Sequence, residues 1–153
     1  MKRHGFTLLE MMIVVVVVGI LASIGFPKIR VAVDKANVRS TRVFLSTSAA
    51  TARASAAQRG CRAVVHFTSG ANGTAWVTAC RMAAGGGTVD TIGAVEQLAS
   101  RYNVTLTASR DSIQYDPRGL SMDNQPTTVR ITGATASGND SVLVNTVGKV
   151  VRQ

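Results

Sequence analysis

Residues 6–27 read FTLLEMMIVVVVVGILASIGFP and carry a single charge, Glu10. Wound into an α-helix at about 1.5 Å per residue, such a run covers roughly 33 Å, enough for the hydrocarbon core of a bilayer. Val14–Val18 is β-branched and would make a poor helix in water. In lipid an unpaired backbone group costs far more than that propensity penalty, so a helix is expected. Met1-Lys2-Arg3-His4-Gly5 precedes the run, and Lys2 and Arg3 should stay on the cytoplasmic side while the remainder crosses. An ordinary soluble enzyme is already disfavoured, because the most apolar segment lies at the amino end. The 153 residues leave room for one further modest domain. Two cysteines and two histidines do not make a zinc module. A removable secretory signal is the simpler alternative. Ala22-Ser23 offers it a mediocre cleavage region, since Ile24 and Phe26 spoil the small-x-small ending.

Glu10 separates the two readings. A signal peptide has no need of an acid there, and an acid in hydrocarbon is costly unless paired or protonated. If the chain is cut after Gly5, Phe6 carries a free amine four residues before Glu10. That amine would sit at the depth of the Glu10 carboxylate of an axially shifted neighbour. Pairing the two neutralises both and fixes the register between subunits.

Gly5-Phe6-Thr7-Leu8-Leu9-Glu10 followed by the apolar run resembles the class III signal of type IV pilins and type II secretion pseudopilins. The resemblance implies cleavage between Gly5 and Phe6 by a prepilin peptidase, with N-methylation of Phe6. It also implies partners: other pilins or pseudopilins through the amino-terminal helix, and an inner-membrane assembly platform. Gly19 and Pro27 resemble positions where the family's helix loosens on assembly. Independently, Pro27 is a weak point because proline removes a donor and clashes with the preceding turn.

Residues 28–59 are alanine-rich, with no glycine or proline, and read as an amphipathic continuation of the helix. Ile29, Val33, Ala36, Ser40, Val43 and Phe44 recur at three- and four-residue spacing and mark a candidate packing face. Gly60 is the expected stop. Lys28, Arg30, Lys35, Arg39 and Arg42 read as solvated or lipid-facing positions, with a partner-subunit site as the alternative. Asp34 suggests no function.

Beyond Gly60 the pattern turns to strands, giving residues 60–153 as an antiparallel β domain. A hairpin is expected around Ser69-Gly70-Ala71-Asn72, with Cys61 facing Cys80, Ala63 facing Thr78, Val65 facing Trp76 and Phe67 facing Thr74. This makes the cysteines cross-strand neighbours in an oxidising location, so a Cys61–Cys80 disulfide is expected, two buried thiols being the alternative. Val65, Phe67 and Trp76 read as core, and His66 falls on the other face. Val89–Tyr102 reads as mixed. Further strands are expected at Asn103–Ala108, Ser112–Tyr115, Thr127–Thr132, Ser141–Asn145 and Lys149–Arg152. Turns are signalled by Asp116-Pro117-Arg118-Gly119, Ser137-Gly138-Asn139-Asp140 and Gly148. Gly85-Gly86-Gly87 lacks the pattern of a phosphate loop. The expected fold class is therefore α+β: a long amino-terminal helix and a domain of antiparallel β-sheets, two by the resemblance below.

Ile113-Gln114-Tyr115-Asp116-Pro117-Arg118-Gly119, Thr128-Val129-Arg130-Ile131, Val142-Leu143-Val144-Asn145 and Gly148-Lys149-Val150 follow the order seen in the GspH/FimT group of minor pseudopilins and minor pilins. That resemblance implies a non-catalytic subunit of an inner-membrane-rooted fibre with its β domain in the periplasm. The fibre is a type II secretion pseudopilus or, alternatively, a type IV pilus. Some FimT-like members bind DNA through a basic carboxyl-terminal glycine-arginine-x-arginine run. Here Lys149 and Arg152 stand nearby, but the second basic residue is displaced by one place. The net charge of +9 would favour phosphate, yet the basic residues are spread along the chain with little aromatic interleaving. No paired carboxylates, nucleophile constellation or metal spacing points to catalysis, a cofactor or a metal, and the turn aspartates lack an EF-hand pattern.

Overall fold

In a computed structural model of the chain, described over residues 6–81, 88–135 and 138–152, one helix dominates. α1 runs unbroken from Leu8 to Arg59. Thr7 caps its start, its Oγ1 accepting from the Glu10 N–H at 3.2 Å. Gly60 ends it in the left-handed region at φ 62°, donating its N–H to Ala56 O. Pro27 lies inside without breaking it. The ring leaves the Ser23 carbonyl without its i+4 donor, so the helix continues here at a local cost.

The β domain comprises β1 (Ala63–Phe67), β2 (Ala75–Cys80), β3 (Val89–Glu96), the short α2 (Leu98–Tyr102), β4 (Val104–Ala108), β5 (Ser112–Tyr115), β6 (Thr127–Gly133), β7 (Asn139–Val144) and β8 (Val150–Arg152). These form two antiparallel four-stranded sheets, ordered β3-β2-β1-β5 and β4-β6-β7-β8. The Ser69–Gly73 turn ties them together, with Gly70 N–H donating to Leu106 O at 2.7 Å. The carboxyl half of α1 packs against both sheets and shares one core with Val65, Val77, Leu106, Ile113, Val129 and Ile131.

The helix face that meets the sheets is not the expected one. Asp34, Val38, Thr41, Leu45, Ser48, Ala49, Ala52, Ser55 and Ala56 are buried. Ile29, Val33 and Val43 are each more than half exposed, Ala36 and Ser40 are exposed, and only Phe44 reaches the core edge. Small residues win because a sheet must approach the helix closely. Thr41 and Ser48 keep their hydroxyls satisfied by donating to Asn37 O (3.0 Å) and Phe44 O (2.9 Å).

The hairpin register also differs, by one residue. Val65 pairs with Val77 and His66 with Trp76. Thr68 N–H donates to Thr74 O, and Gly73 N–H to Gly70 O, so the turn holds one residue more than expected. That slip moves Trp76 off the Val65 face and onto the side of His66, where the two rings stack at 4.9 Å. Ala75, Val77 and Ala79 fill the core in its place. Cys61 precedes β1, so strand alternation does not govern it. It still lies at disulfide distance from Cys80, with Cα atoms 6.2 Å apart. Val89–Tyr102, read as mixed, is an edge strand followed by one short helix. Asn139 and Asp140, expected in a turn, open β7. Ser137 of that turn and Gly85-Gly86-Gly87 lie outside the described residues.

Candidate assembly site

Among the described residues, two surfaces have no occupant. The first is the amino-terminal half of α1. From Phe6 to Val33 its large apolar side chains other than the half-buried Val31 are exposed, Phe6 at 73% and Leu8 at 79%. Among the described residues no part of the β domain covers this span, so its apolar surface calls for lipid or other helices. Glu10 stands in the first turn, among apolar residues. An acid at the centre of a span costs about 2.5–3.5 kcal/mol, whereas each Val, Ile or Leu returns about 0.3–0.6. The gain from the run is large enough to offset the cost of one such acid. Gly5 and the leader lie outside the described residues. Gly19 and Pro27 are both helical in the isolated chain.

The second surface continues the first. Ile29, Val33 and Val43 lie on the helix side away from the buried stripe. Next to them Arg39, Ser40, Val43, Phe44 and Thr47 of α1 face Tyr102 of α2 across an open cavity of about 470 Å³. Tyr102 is further contacted by the Arg101 guanidinium, 5.6 Å from its ring centre. The stripe that the sequence offered as a packing face is thus largely exposed and directed away from the sheets.

The carboxyl half of the domain carries no chemistry of this kind; it is a locked turn. Asp116 Oδ1 accepts from Arg118 N (2.9 Å) and Leu120 N (2.8 Å). The Leu120 N–H foremost, then the Arg118 guanidinium and backbone N–H, hold the Asp116 carboxyl below its ordinary value against the opposing effect of desolvation. Arg118 therefore orients its own turn. Tyr115 is buried, and its hydroxyl donates to Gly148 O at 3.3 Å. Burial pushes the phenol up to about 12, with Asp123 adding to the shift and Arg53 opposing it. Gly148 sits at φ 84°, where a Cβ would come within 2.7 Å of the Tyr115 ring. Lys149 donates its N–H to Asn145 Oδ1 at 2.8 Å, closing the β7–β8 turn, and Arg152 stands opposite Val142.

His66 is half-buried, its Nε2 2.8 Å from Thr78 Oγ1, and burial lowers its pKa. Asp34 is the residue the sequence reading passed over. It is 5% exposed and accepts from the N–H groups of Ala134 (2.9 Å) and Thr135 (3.1 Å), and from the Thr135 hydroxyl. Arg42 and Asp140 form a second clasp nearby at 2.7 Å. An acid in the otherwise basic stretch 28–59, seven residues before Thr41 on the buried stripe, was the available signal.

Among the described residues, a single helix long and apolar enough to span a membrane, followed by a two-sheet β domain, defines a pilin-like architecture. A family model of the prokaryotic N-terminal methylation motif matches residues 1–26, and one of type II transport protein GspH matches residues 45–148. The chain belongs to the GspH/FimT family of type II secretion minor pseudopilins and type IV minor pilins, and is a non-catalytic structural subunit. Two crystal structures of the Pseudomonas aeruginosa (strain PAO1) type IV minor pilin FimU share its fold at 10% identity. Their TM-scores are 0.57 and 0.59, over 75% and 76% of this chain and 91% and 87% of theirs. No curated protein matches the chain. Its fold is that of a pilin: among the described residues, one helix long and apolar enough to span a membrane, followed by a two-sheet β domain.

Proposed function

We propose that the protein is a minor pseudopilin of a type II secretion system, acting in assembly of the pseudopilus that drives export across the outer membrane. The observation that carries this reading is the match to type II transport protein GspH over residues 45–148. In this reading residues 1–5 are a leader removed between Gly5 and Phe6, and Phe6 is N-methylated. Residues 6–27 span the inner membrane, residues 28–59 extend the helix and residues 60–153 form the periplasmic domain. The Glu10 carboxylate meets the Phe6 amine of a neighbouring subunit. Gly19 and Pro27 are where the helix yields as it leaves the bilayer for the fibre, and a Cys61–Cys80 disulfide ties the end of α1 to β2. The prepilin peptidase and the inner-membrane assembly platform are its processing and assembly partners.

The test is Glu10→Ala in the native cell. Processing should continue while recovery of the subunit in sheared pseudopili falls about tenfold or more, as a charge pair worth at least 1.4 kcal/mol requires. Secretion should fall with it. Unchanged incorporation would remove Glu10 from the account.

The second reading is a type IV minor pilin, supported by the fold shared with FimU and by the amino-terminal methylation motif. DNA binding through Lys149 and Arg152 belongs to it. Titration of duplex DNA at rising salt should then show binding that Lys149→Gln with Arg152→Gln weakens, with a reduced salt slope.

A further inference from the structure

Most of the molecule's acids are already engaged. Asp90, Glu96, Asp116, Asp123 and Asp140 sit in ion pairs, and Asp34 is buried against the chain at Ala134–Thr135. Lys28, Arg30, Lys35 and Arg39 are exposed, and among the described residues none of them is in an ion pair. All four fall within residues 28–39, directly after the apolar span. A second copy of this chain is a poor counterpart, because among the described residues only Glu10 and Asp111 of its acids lack an ion pair or a buried engagement.

We propose that Lys28, Arg30 and Lys35 form a binding surface for anionic phospholipid headgroups on the outer side of the membrane, holding the subunit at a fixed depth before it enters the fibre. The proposal rests on residues 6–27 spanning the bilayer. At the helical rise, the Cα atoms of these residues lie about 1.5, 4.5 and 12 Å beyond Pro27. The headgroup layer occupies about 5–7 Å beyond the hydrocarbon. Lys28 and Arg30 therefore sit inside it, and Lys35 is about 5 Å above it, within reach of a lysine stem. Helical side chains lean toward the helix amino terminus, which here is the membrane side, so all three are biased toward the lipid. An acidic partner protein would have to reach the same residues from within the headgroup layer, which favours lipid as the occupant.

Spin-labelled lipids test this on the full chain reconstituted in phosphatidylcholine vesicles. A trace of labelled phosphatidylglycerol or labelled phosphatidylcholine reports, by its motionally restricted fraction, which lipid sits against the helix. Labelled phosphatidylglycerol should be favoured about threefold or more at low salt. High salt should shrink that preference. The combination Lys28→Gln, Arg30→Gln, Lys35→Gln should abolish it, and Arg130→Gln, an exposed cation on the β domain, should leave it intact. Equal restriction of both labels by the unaltered chain overturns the proposal, as does an equal loss in Arg130→Gln. A missing restricted component with both labels would instead show that the helix is not in the bilayer, defeating the spanning reading itself.

Discussion

Gly148 is fixed by its neighbours rather than by its own turn alone. A methyl group there would meet Tyr115 Cε1 at 2.7 Å and Ser121 N at 3.1 Å, in a left-handed conformation that alanine avoids. Strain and overpacking each cost about 1–3 kcal/mol, so Gly148→Ala should destabilise the full chain in detergent by about 2–6 kcal/mol. A thermal melt would show it, and an unchanged midpoint would mean that Tyr115 can move aside. His66 makes a second prediction. Its pKa is lowered by burial, and Arg62 lines the same cavity. The unfolded chain therefore binds a proton more readily than the folded one. The His66 contribution is fully present above about pH 6.5 and is lost as pH falls through the lower folded value. Stability should decline between neutral pH and about pH 5, and His66→Gln should flatten that decline.

At the level of elements, α1 is held by polar pins as much as by apolar packing. Removing the Asp34 carboxylate strands the Ala134 and Thr135 N–H groups. Asp34→Ala should cost about 2–4 kcal/mol. Amide exchange at Ala134 and Thr135 should accelerate first. Exchange that changes nowhere near this turn would show that the pin is dispensable. The same pin explains why one face of α1 was misread. Hydrophobic spacing singled out Ile29, Val33 and Val43, yet the sheet-facing stripe is built from Asp34, Thr41, Ser48 and alanines. A rule that seeks apolar periodicity finds the exposed stripe instead. The helix limits near Gly60 and most strands were legible, because glycine and strand alternation speak locally. The β1–β2 register was not. It depends on a turn lengthened by one residue that docks on Leu106, a contact distant in sequence. Gly73 belongs to that turn, and a Cβ on it would come within 2.8 Å of the Leu106 side chain. β3 escaped notice for a related reason. It is an edge strand kinked at Gly93, with φ 79° and a register shift opposite Ala75–Val77, so its alternation is broken. α2 is too short for a helical period to show.

Taken whole, the molecule divides its work between two ends. The carboxyl half of α1 and two sheets make a self-sufficient core, while the amino half leaves its apolar side chains exposed. Family and fold were readable from the order Gly5-Phe6-Glu10-apolar run and from the Tyr115–Gly119 and Gly148 segments. Membership in the secretion or the pilus branch is set by partners, and the chain carries only its own half of those contacts. The account depends on the apolar segment surviving as a mature helix that begins at Phe6. Intact-mass and peptide mass spectrometry of the protein from native inner membranes reads this directly. The account predicts a chain starting at Phe6 and bearing one additional methyl group on its amino terminus. A chain that keeps Met1-Lys2-Arg3-His4-Gly5, or one that begins after Ala22, would contradict it.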